Sequence, residues 1–190
     1  IESTFVNLNW LKVKVQKLKI NIKRNQISKY SKNFTFSKEI SEEIDLNSFS
    51  NIEKFNFKMH RDNLVYKWRI NNYVLADSIY FSLFQEEKCR AIIAAQYNNN
   101  CLYVLDLMYE NLSDLKKIIE NIIIWVNDNE LKTLIIESSD EELIKFLRSD
   151  FNCHTLKEFF CYFYSKNYLK DIVSKDILIT PISSDTLLRG

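Results

Sequence analysis

The spacing of apolar residues divides the chain into segments of two kinds, which differ in their period. From residue 79 onward, three short runs rich in Ile, Tyr, Phe and Val predict strands, namely IYFSLF (79–84), CRAIIAAQY (89–97) and CLYVLDLMY (101–109). The polar segment QEEK separates the first two runs, and three asparagines separate the second from the third. Two hairpins in series predict an antiparallel meander.

After this meander the apolar spacing becomes helical. Residues 112–128 form a predicted helix, and its apolar stripe consists of Leu115, Ile118, Ile119, Ile122, Trp125 and Val126. The segment LKTLIIES (131–138) predicts a short buried strand. Because a strand, a helix and a strand follow one another here, we expect a crossover that makes strands 101–109 and 131–138 parallel neighbours.

A shorter helix and a last strand complete the predicted order. Ser139 and Glu142 have the spacing of a capping box before the helix. The segment EFFCYFYS (158–165) predicts a strongly aromatic strand. The order β-β-β-α-β-α-β from about residue 79 predicts an α/β (α+β) domain with a mixed, mostly antiparallel sheet flanked by helices.

The first half of the chain is less regular. Residues 10–24 are basic and apolar, and their spacing fits either a strand with two apolar faces or a helix with one apolar stripe. We expect a linker or an edge strand with solvated lysines. This divides the chain into a basic linker or N-terminal extension (1–33) and one domain (34–190). Within the domain, residues 34–40 alternate as a short strand, and residues 45–55 have helical spacing.

Composition argues against several classes of function. Apolar residues make up 46% and charged residues 27% of the chain, which is typical of a globular protein. The only glycine is Gly190, so glycine-rich phosphate loops of the Walker or Rossmann type are not expected. Two histidines and no CxxC pair argue against a metal site, and a net charge of +1 argues against nucleic-acid binding.

The sequence also carries no signal for a membrane or for secretion. No apolar run approaches the roughly 20 residues that a membrane-spanning helix needs. Four cysteines without a secretory leader favour a reducing compartment, so a soluble, cytoplasmic domain is expected. Residue 1 is Ile rather than Met, which suggests a fragment or a processed start.

Three segments carry a resemblance to a known superfamily. RDNLVYKWRINNYV (61–74) is similar to a motif of bacterial GNAT-like (N-acetyltransferase) proteins found near surface-polysaccharide and cell-wall genes. The residues that match this motif are Arg61, Asp62, Trp68 and Arg69. Residues 80–97 resemble the strand–turn–strand that enters the acyl-CoA fold, and ISSDTLLRG (182–190) is similar to the closing segment. The chain resembles the second, C-terminal half of such two-half proteins.

The resemblance implies an activity and partners. The activity is an acyl-CoA-dependent N-acyltransferase, with acetyl-CoA or another acyl-CoA as cofactor, no metal, and an amino sugar or similar small amine as acceptor. The partner is the missing N-terminal GNAT-like half or a second copy of the chain. The alternative is a catalytically degenerate domain that serves as a substrate-cleft or protein-interaction module of a larger protein.

The resemblance also implies where the cofactor would bind. In that superfamily the strand equivalent to 101–109 diverges from its neighbour, and its backbone aligns the pantetheine arm, which places cofactor binding at Leu107, Met108 and Tyr109. The turn that follows has none of the usual glycines, and Glu110 and Asp114 would meet the phosphates with like charge. We therefore expect this turn to be a plain helix cap.

Three further residues are candidates for the chemistry. The superfamily often uses a Tyr as general acid on the helix after the next strand, and Phe146, which aligns there, has no proton to donate. Asp106 is a candidate catalytic base, because its strand face is otherwise apolar, although such a residue can also point to solvent. Arg69 either binds an acidic substrate or pairs with a carboxylate such as Asp62.

Overall fold

The computed structural model contains a seven-stranded sheet with helices against it. The described residues are 9–22, 29–41, 43–56, 58, 60, 61, 78–98, 100–165 and 177–180. The strands are β1 (Asn9–Asn21), β2 (Phe34–Ser37), β3 (Ser78–Gln85), β4 (Lys88–Asn98), β5 (Cys101–Tyr109), β6 (Thr133–Ser138) and β7 (His154–Ser165). The helices in these ranges are α1 (Ser50–Glu53), α2 (Leu112–Asp128) and α3 (Glu141–Phe151).

The strands follow the order β2-β3-β4-β5-β6-β1-β7 across the sheet. β3, β4 and β5 pair antiparallel as consecutive neighbours, which confirms the predicted meander. β5 pairs parallel with β6, and α2 lies between them in sequence, so the crossover is confirmed as well. The other neighbouring strands pair antiparallel. The predicted mixed, mostly antiparallel sheet is therefore confirmed.

β1 is an interior strand, which corrects the expectation of a linker or an edge strand in residues 10–24. It lies between β6 and β7 and pairs antiparallel with both. Val13 and Val15 pack against Ile177 and Ile179 on one face, whereas Leu18 packs into the main core on the other. The spacing with two apolar faces was the correct interpretation. Because β1 is hydrogen-bonded inside the sheet, the boundary predicted at residue 33 does not separate a linker from the domain.

Helices lie against both faces of the sheet. α2 and α3 pack on one face, where the predicted apolar stripe of α2 is buried in the main core. α1 packs on the other face, in a second cluster around Phe49 and Ile52. Ile92 and Ile93 are neighbours on β4 and point to opposite faces, and each packs into a different cluster. The apolar positions of the predicted helical spacing in 45–55 are buried, although the helix itself covers only Ser50–Glu53; these positions are Leu46, Phe49, Ile52 and Phe55.

α3 begins one residue later than the capping-box spacing predicted. Its N-cap is Asp140, whose Oδ1 accepts hydrogen bonds from the backbone N–H groups of Glu142 and Leu143. Ser139 has another role, because its Oγ donates to the carbonyl of Ile177 and accepts from the N–H of Ile179. Ser139 therefore holds segment 177–180 against the end of β6.

Several predictions fall outside the described residues. Asp62, Trp68 and Arg69 of the motif lie there, and so does the closing segment 182–190. The two interpretations of Arg69, as a substrate ligand or as an ion-pair partner, therefore both stay predictions.

Candidate functional site

β5 and β6 diverge after four paired residues and form a fork. Their parallel register runs from Cys101 to Val104 on β5 and from Thr133 to Ile136 on β6. β5 then continues to Tyr109 without pairing with β6, while its other edge stays paired with β4. We call the space between residues 105–109 of β5 and the end of β6 the fork. The strand divergence that the resemblance implied is present.

A β-bulge lies where the two strands separate. Asp106 is opposite Ala94 of β4, but the next residue of β4, Ala95, is opposite Val104, so Leu105 is an extra residue. A bulge bends its strand and increases the local twist. The bend in β5 therefore coincides with the end of its pairing with β6.

The edge of β5 that faces the fork can be identified from its hydrogen bonds. The N–H of Glu110 donates to the carbonyl of Arg90 on β4 at 3.0 Å. Successive residues of a strand direct their backbone groups to alternate edges. Leu107 and Tyr109 therefore present their N–H and C=O groups to the fork, and Met108 faces β4. Two of the three predicted cofactor positions have backbone groups at the fork.

The side-chain carboxamide of Asn51 occupies this edge. Its Nδ2 donates to the carbonyl of Leu107 at 3.2 Å, and its Oδ1 accepts from the N–H of Tyr109 at 2.7 Å. Asn51 lies on α1 and is 5% exposed. The one signal for Asn51 in the sequence is a polar side chain within the apolar helical spacing of residues 45–55.

Asp106 is buried in a bidentate ion pair with Arg61. Arg61 Nε lies 2.7 Å from Asp106 Oδ2, and Arg61 Nη2 lies 3.0 Å from Oδ1. The two side chains are 1% and 0% exposed. Oδ1 also accepts the N–H of Leu107 at 3.0 Å. Asp106 therefore points inward, as its apolar strand face suggested, and both of its oxygens are engaged in the arrangement of a structural ion pair.

Polar contacts hold α1 across the mouth of the fork. The hydroxyl of Ser50 donates to Glu110 Oε2 at 2.7 Å. Lys54 Nζ lies 2.8 Å from Asp140 Oδ2 and 3.0 Å from Glu142 Oε2. Burial by itself would lower the pKa of Lys54, but the hydrogen bonds and charges of the two carboxylates outweigh it and raise that pKa. α1 thus connects the end of β5 with the start of α3.

The phenol of Tyr109 is a buried polar group at the end of β5. The residue is 3% exposed, and its hydroxyl lies close to the carboxylate of Asp140. Burial raises the pKa of Tyr109, and the nearby charges of Asp140 and Glu142 raise it further. The phenol therefore stays protonated at neutral pH and can act as a hydrogen-bond donor.

The N-terminus of α2 is capped, and the two carboxylates beside it are paired with cationic side chains. Asn111 is the N-cap, and its Oδ1 accepts from the N–H of Asp114 at 3.0 Å. The carboxylate of Asp114 accepts from Arg90 Nε at 3.2 Å and from Asn111 Nδ2 at 2.8 Å. Glu110 pairs with Lys88 at 3.0 Å. This is the plain helix cap that the missing glycines predicted, and it offers a phosphate group little attraction.

Phe146, at the position of the expected general acid, is a packing residue beside a shallow groove. Its ring packs edge-on against Phe151, with the ring centroids 5.9 Å apart. The groove has a volume of about 590 Å³ and is also lined by Leu112, Glu142 and Lys145. α3 therefore provides no ionisable hydroxyl at this position.

A second buried carboxyl group belongs to the end of β6. Glu137 is the first residue of β6 beyond the last pair with β5, and it is 6% exposed. Its Oε1 has no hydrogen-bond partner among the described residues. Burial raises the pKa of Glu137, while the charges of Lys17 and Lys157 act in the opposite direction. Glu137 was not predicted as a site residue, because a single acid at the end of an apolar strand gives no distinctive pattern.

Other candidate chemistries find no support in the described segments. In those ranges no group of three His, Cys, Asp or Glu side chains could hold a metal ion. Nor is any helix there both long enough and apolar enough to cross a bilayer. The lysines of β1 contact neighbouring side chains, since Lys14 pairs with Glu158 at 2.9 Å and Lys12 lies 3.7 Å from the ring centroid of Phe160.

Comparison with known proteins gives similarity at the level of structure. No protein-family model and no curated protein matches the sequence. A GCN5-related N-acetyltransferase from Anabaena variabilis superposes with a TM-score of 0.54 at 6% identity, over 82% of this chain and 41% of its own. A conserved protein of unknown function from Staphylococcus epidermidis gives a TM-score of 0.56 at 12% identity, over 84% and 64%.

A third solved structure comes from Novosphingobium aromaticivorans and is described as an acetyltransferase of the GNAT family. It gives a TM-score of 0.53 at 6% identity, over 83% of this chain and 66% of its own. The chain thus spans between about two-fifths and two-thirds of the length of these three proteins. Together with the order of elements and the fork between β5 and β6, these similarities show that the chain has the GNAT fold.

Proposed function

We propose that this chain is an acyl-CoA-dependent N-acyltransferase domain that binds the pantetheine arm of acyl-CoA along β5. The observation that carries the proposal is the fork, where the backbone groups of Leu107 and Tyr109 pair with the side chain of Asn51 and not with β6. An amide of pantetheine could accept from the Tyr109 N–H and donate to the Leu107 carbonyl. Acyl-CoA is an intracellular metabolite, so the proposal also places the domain in the cytoplasm.

The residues fit the two ends of this cofactor unequally. The edge of β5 suits an amide, but the N-terminus of α2 suits a pyrophosphate poorly, because Glu110 and Asp114 lie there and Asn111 already caps the helix. Binding energy would therefore come mainly from the pantetheine arm and the acyl group. We expect an affinity for acyl-CoA that is weak for this fold.

The proposed reaction joins a neutral amine to the acyl carbon. The amine nitrogen forms a bond to the thioester carbonyl carbon, the carbon–sulfur bond breaks, and the thiolate leaves with the proton released from nitrogen. Phe146 cannot supply that proton, so orientation of the two reactants would provide most of the acceleration. We propose an amino sugar or a similar small amine as the acceptor class.

A second candidate function is a catalytically degenerate module of a larger protein. The capped α2 terminus and Phe146 favour it, since both remove a feature that acyl transfer uses. In this role the domain would complete a substrate cleft with an N-terminal GNAT-like half, or pair with a second copy. The 41% coverage of the Anabaena protein is compatible with such a longer parent chain.

Calorimetric titration with acetyl-CoA distinguishes the two candidates. The enzyme proposal predicts saturable heat at high micromolar cofactor, and release of free thiol once glucosamine is added. N-acetylglucosamine is the matched control, because its nitrogen is already acylated and cannot react. Absence of both heat and thiol release would count for the degenerate module, and sedimentation velocity would then test for self-association.

A further inference from the structure

We propose that α1 is an autoinhibitory plug of the fork, and that the carboxamide of Asn51 takes the place of a ligand amide on β5. This inference rests on the proposed binding of acyl-CoA at the same edge. It adds that the described conformation is the closed one and that Asn51 determines how often the edge is free.

The Asn51 carboxamide contacts β5 as a ligand amide would. A primary carboxamide carries the same donor and acceptor as a secondary amide, and Asn51 uses both on one strand edge. It spans the carbonyl of Leu107 and the N–H of Tyr109, which are the groups that a ligand amide in strand orientation would contact. Ligand and plug therefore compete for the same two atoms.

Contacts with neighbouring elements, and not its own helical stability, hold α1 in place. It has four residues, and its N-cap residue makes no side-chain capping bond, so it has little helical stability of its own. Its position depends on the apolar contacts of Phe49 and Ile52 and on polar contacts at its ends. The polar contacts are partly solvated, since the side chains of Lys54 and Glu142 are 33% and 63% exposed.

Opening has a cost, because the carboxamide of Asn51 must leave both backbone groups of β5. Opening leaves the Leu107 carbonyl and the Tyr109 N–H without partners unless a ligand amide replaces Asn51. Apparent affinity for such a ligand is reduced by the fraction of molecules that are closed. A variant that lacks the Asn51 carboxamide should therefore bind such a ligand with a higher apparent affinity.

The test compares two alanine variants of matched chemistry. Asn51→Ala removes the bridge at the fork. Asn47→Ala removes a similar bridge, in which Asn47 Nδ2 donates to the carbonyl of Arg61 at 3.2 Å and Oδ1 accepts from its N–H at 2.9 Å. Both variants lose two hydrogen bonds to backbone, but only the first frees the edge of β5. Thermal unfolding checks that both remain folded.

Calorimetric titrations with acetyl-CoA and with ADP provide the main readout. We expect Asn51→Ala to bind acetyl-CoA roughly 30-fold more tightly than the wild type, from two hydrogen bonds of ordinary net strength. ADP has no pantetheine arm, so its affinity should not change. Asn47→Ala should bind acetyl-CoA as the wild type does. Hydrogen exchange at the Tyr109 amide should be faster in Asn51→Ala alone.

The outcomes separate this inference from the proposed function. Equal, measurable acetyl-CoA affinity in the wild type and in Asn51→Ala overturns the plug and leaves the proposed function in place. Absence of binding in both proteins overturns the plug and the proposed function together. A gain of affinity in Asn47→Ala as large as that in Asn51→Ala also overturns the plug, because general loosening would then be the cause.

Discussion

The buried pair of Arg61 and Asp106 gives the sharpest prediction about stability. Arg61→Met leaves the carboxylate of Asp106 without its bidentate partner in a site that is 0% exposed. Removing one member of a buried ion pair typically costs about 3–5 kcal/mol, because the remaining charge stays desolvated. With a urea dependence of about 2 kcal/mol per molar, the midpoint of unfolding should fall by about 1.5–2.5 M.

A double-mutant cycle measures the interaction free energy between Arg61 and Asp106 directly. Asp106→Asn keeps an acceptor for the Leu107 N–H but removes the negative charge, and it should cost about as much as Arg61→Met. The double variant buries no unpaired charge, so it should be clearly more stable than the sum of the single changes implies. Urea unfolding followed by fluorescence provides all four free energies. Simple additivity, or a loss below about 1 kcal/mol in Arg61→Met, would refute the structural role of the pair.

Two further predictions concern Glu137 and Phe146. Burial raises the pKa of Glu137 above its unfolded value, so the folded state binds more protons and stability falls as pH rises through the interval between the two pKa values. Glu137→Gln should therefore increase the urea midpoint at pH 7 relative to the wild type, and the gain should disappear toward pH 4; an equal gain at both pH values would contradict the assignment. Phe146→Tyr should increase thiol release by about 100-fold, the lower end of general acid catalysis, if proton donation from this position limits turnover. An unchanged rate, measured with acetyl-CoA and glucosamine, would argue against that limit.

The elements from residue 78 onward were predictable because their local signals agree with their final packing. The α2 stripe at a period of 3.6 residues packs on one face of the sheet, and the short β-rich runs before it bury side chains on both faces. The N-terminal strand was harder to assign. Leu18 and Ile20 of β1 pack on one face while Val13 and Val15 pack on the other, so no single apolar face runs along the strand. Partners more than one hundred residues away determine where it lies.

The site was predictable only in part, for a similar reason. The fork was implied by the resemblance to the superfamily, and the helix cap follows from the glycine-free turn after residue 109. The contacts of Asn51 and Arg61 are not local, since they reach Leu107, Tyr109 and Asp106 across 45 to 58 positions. Arg61 attracted notice through its motif alone, and nothing in the sequence pointed to Asp106 as its partner.

The interior location of β1 has a consequence for how the chain can assemble. Residues 9–21 can pair fully only after both β6 and β7 have been synthesised, because β1 pairs with one of them on each side. Until then those two late strands have no partner between them, and such long-range closure is slow. The same geometry makes the first strand separable: a polypeptide beginning at residue 34, mixed with a synthetic peptide of residues 9–22, should reconstitute the native sheet as a two-piece complex.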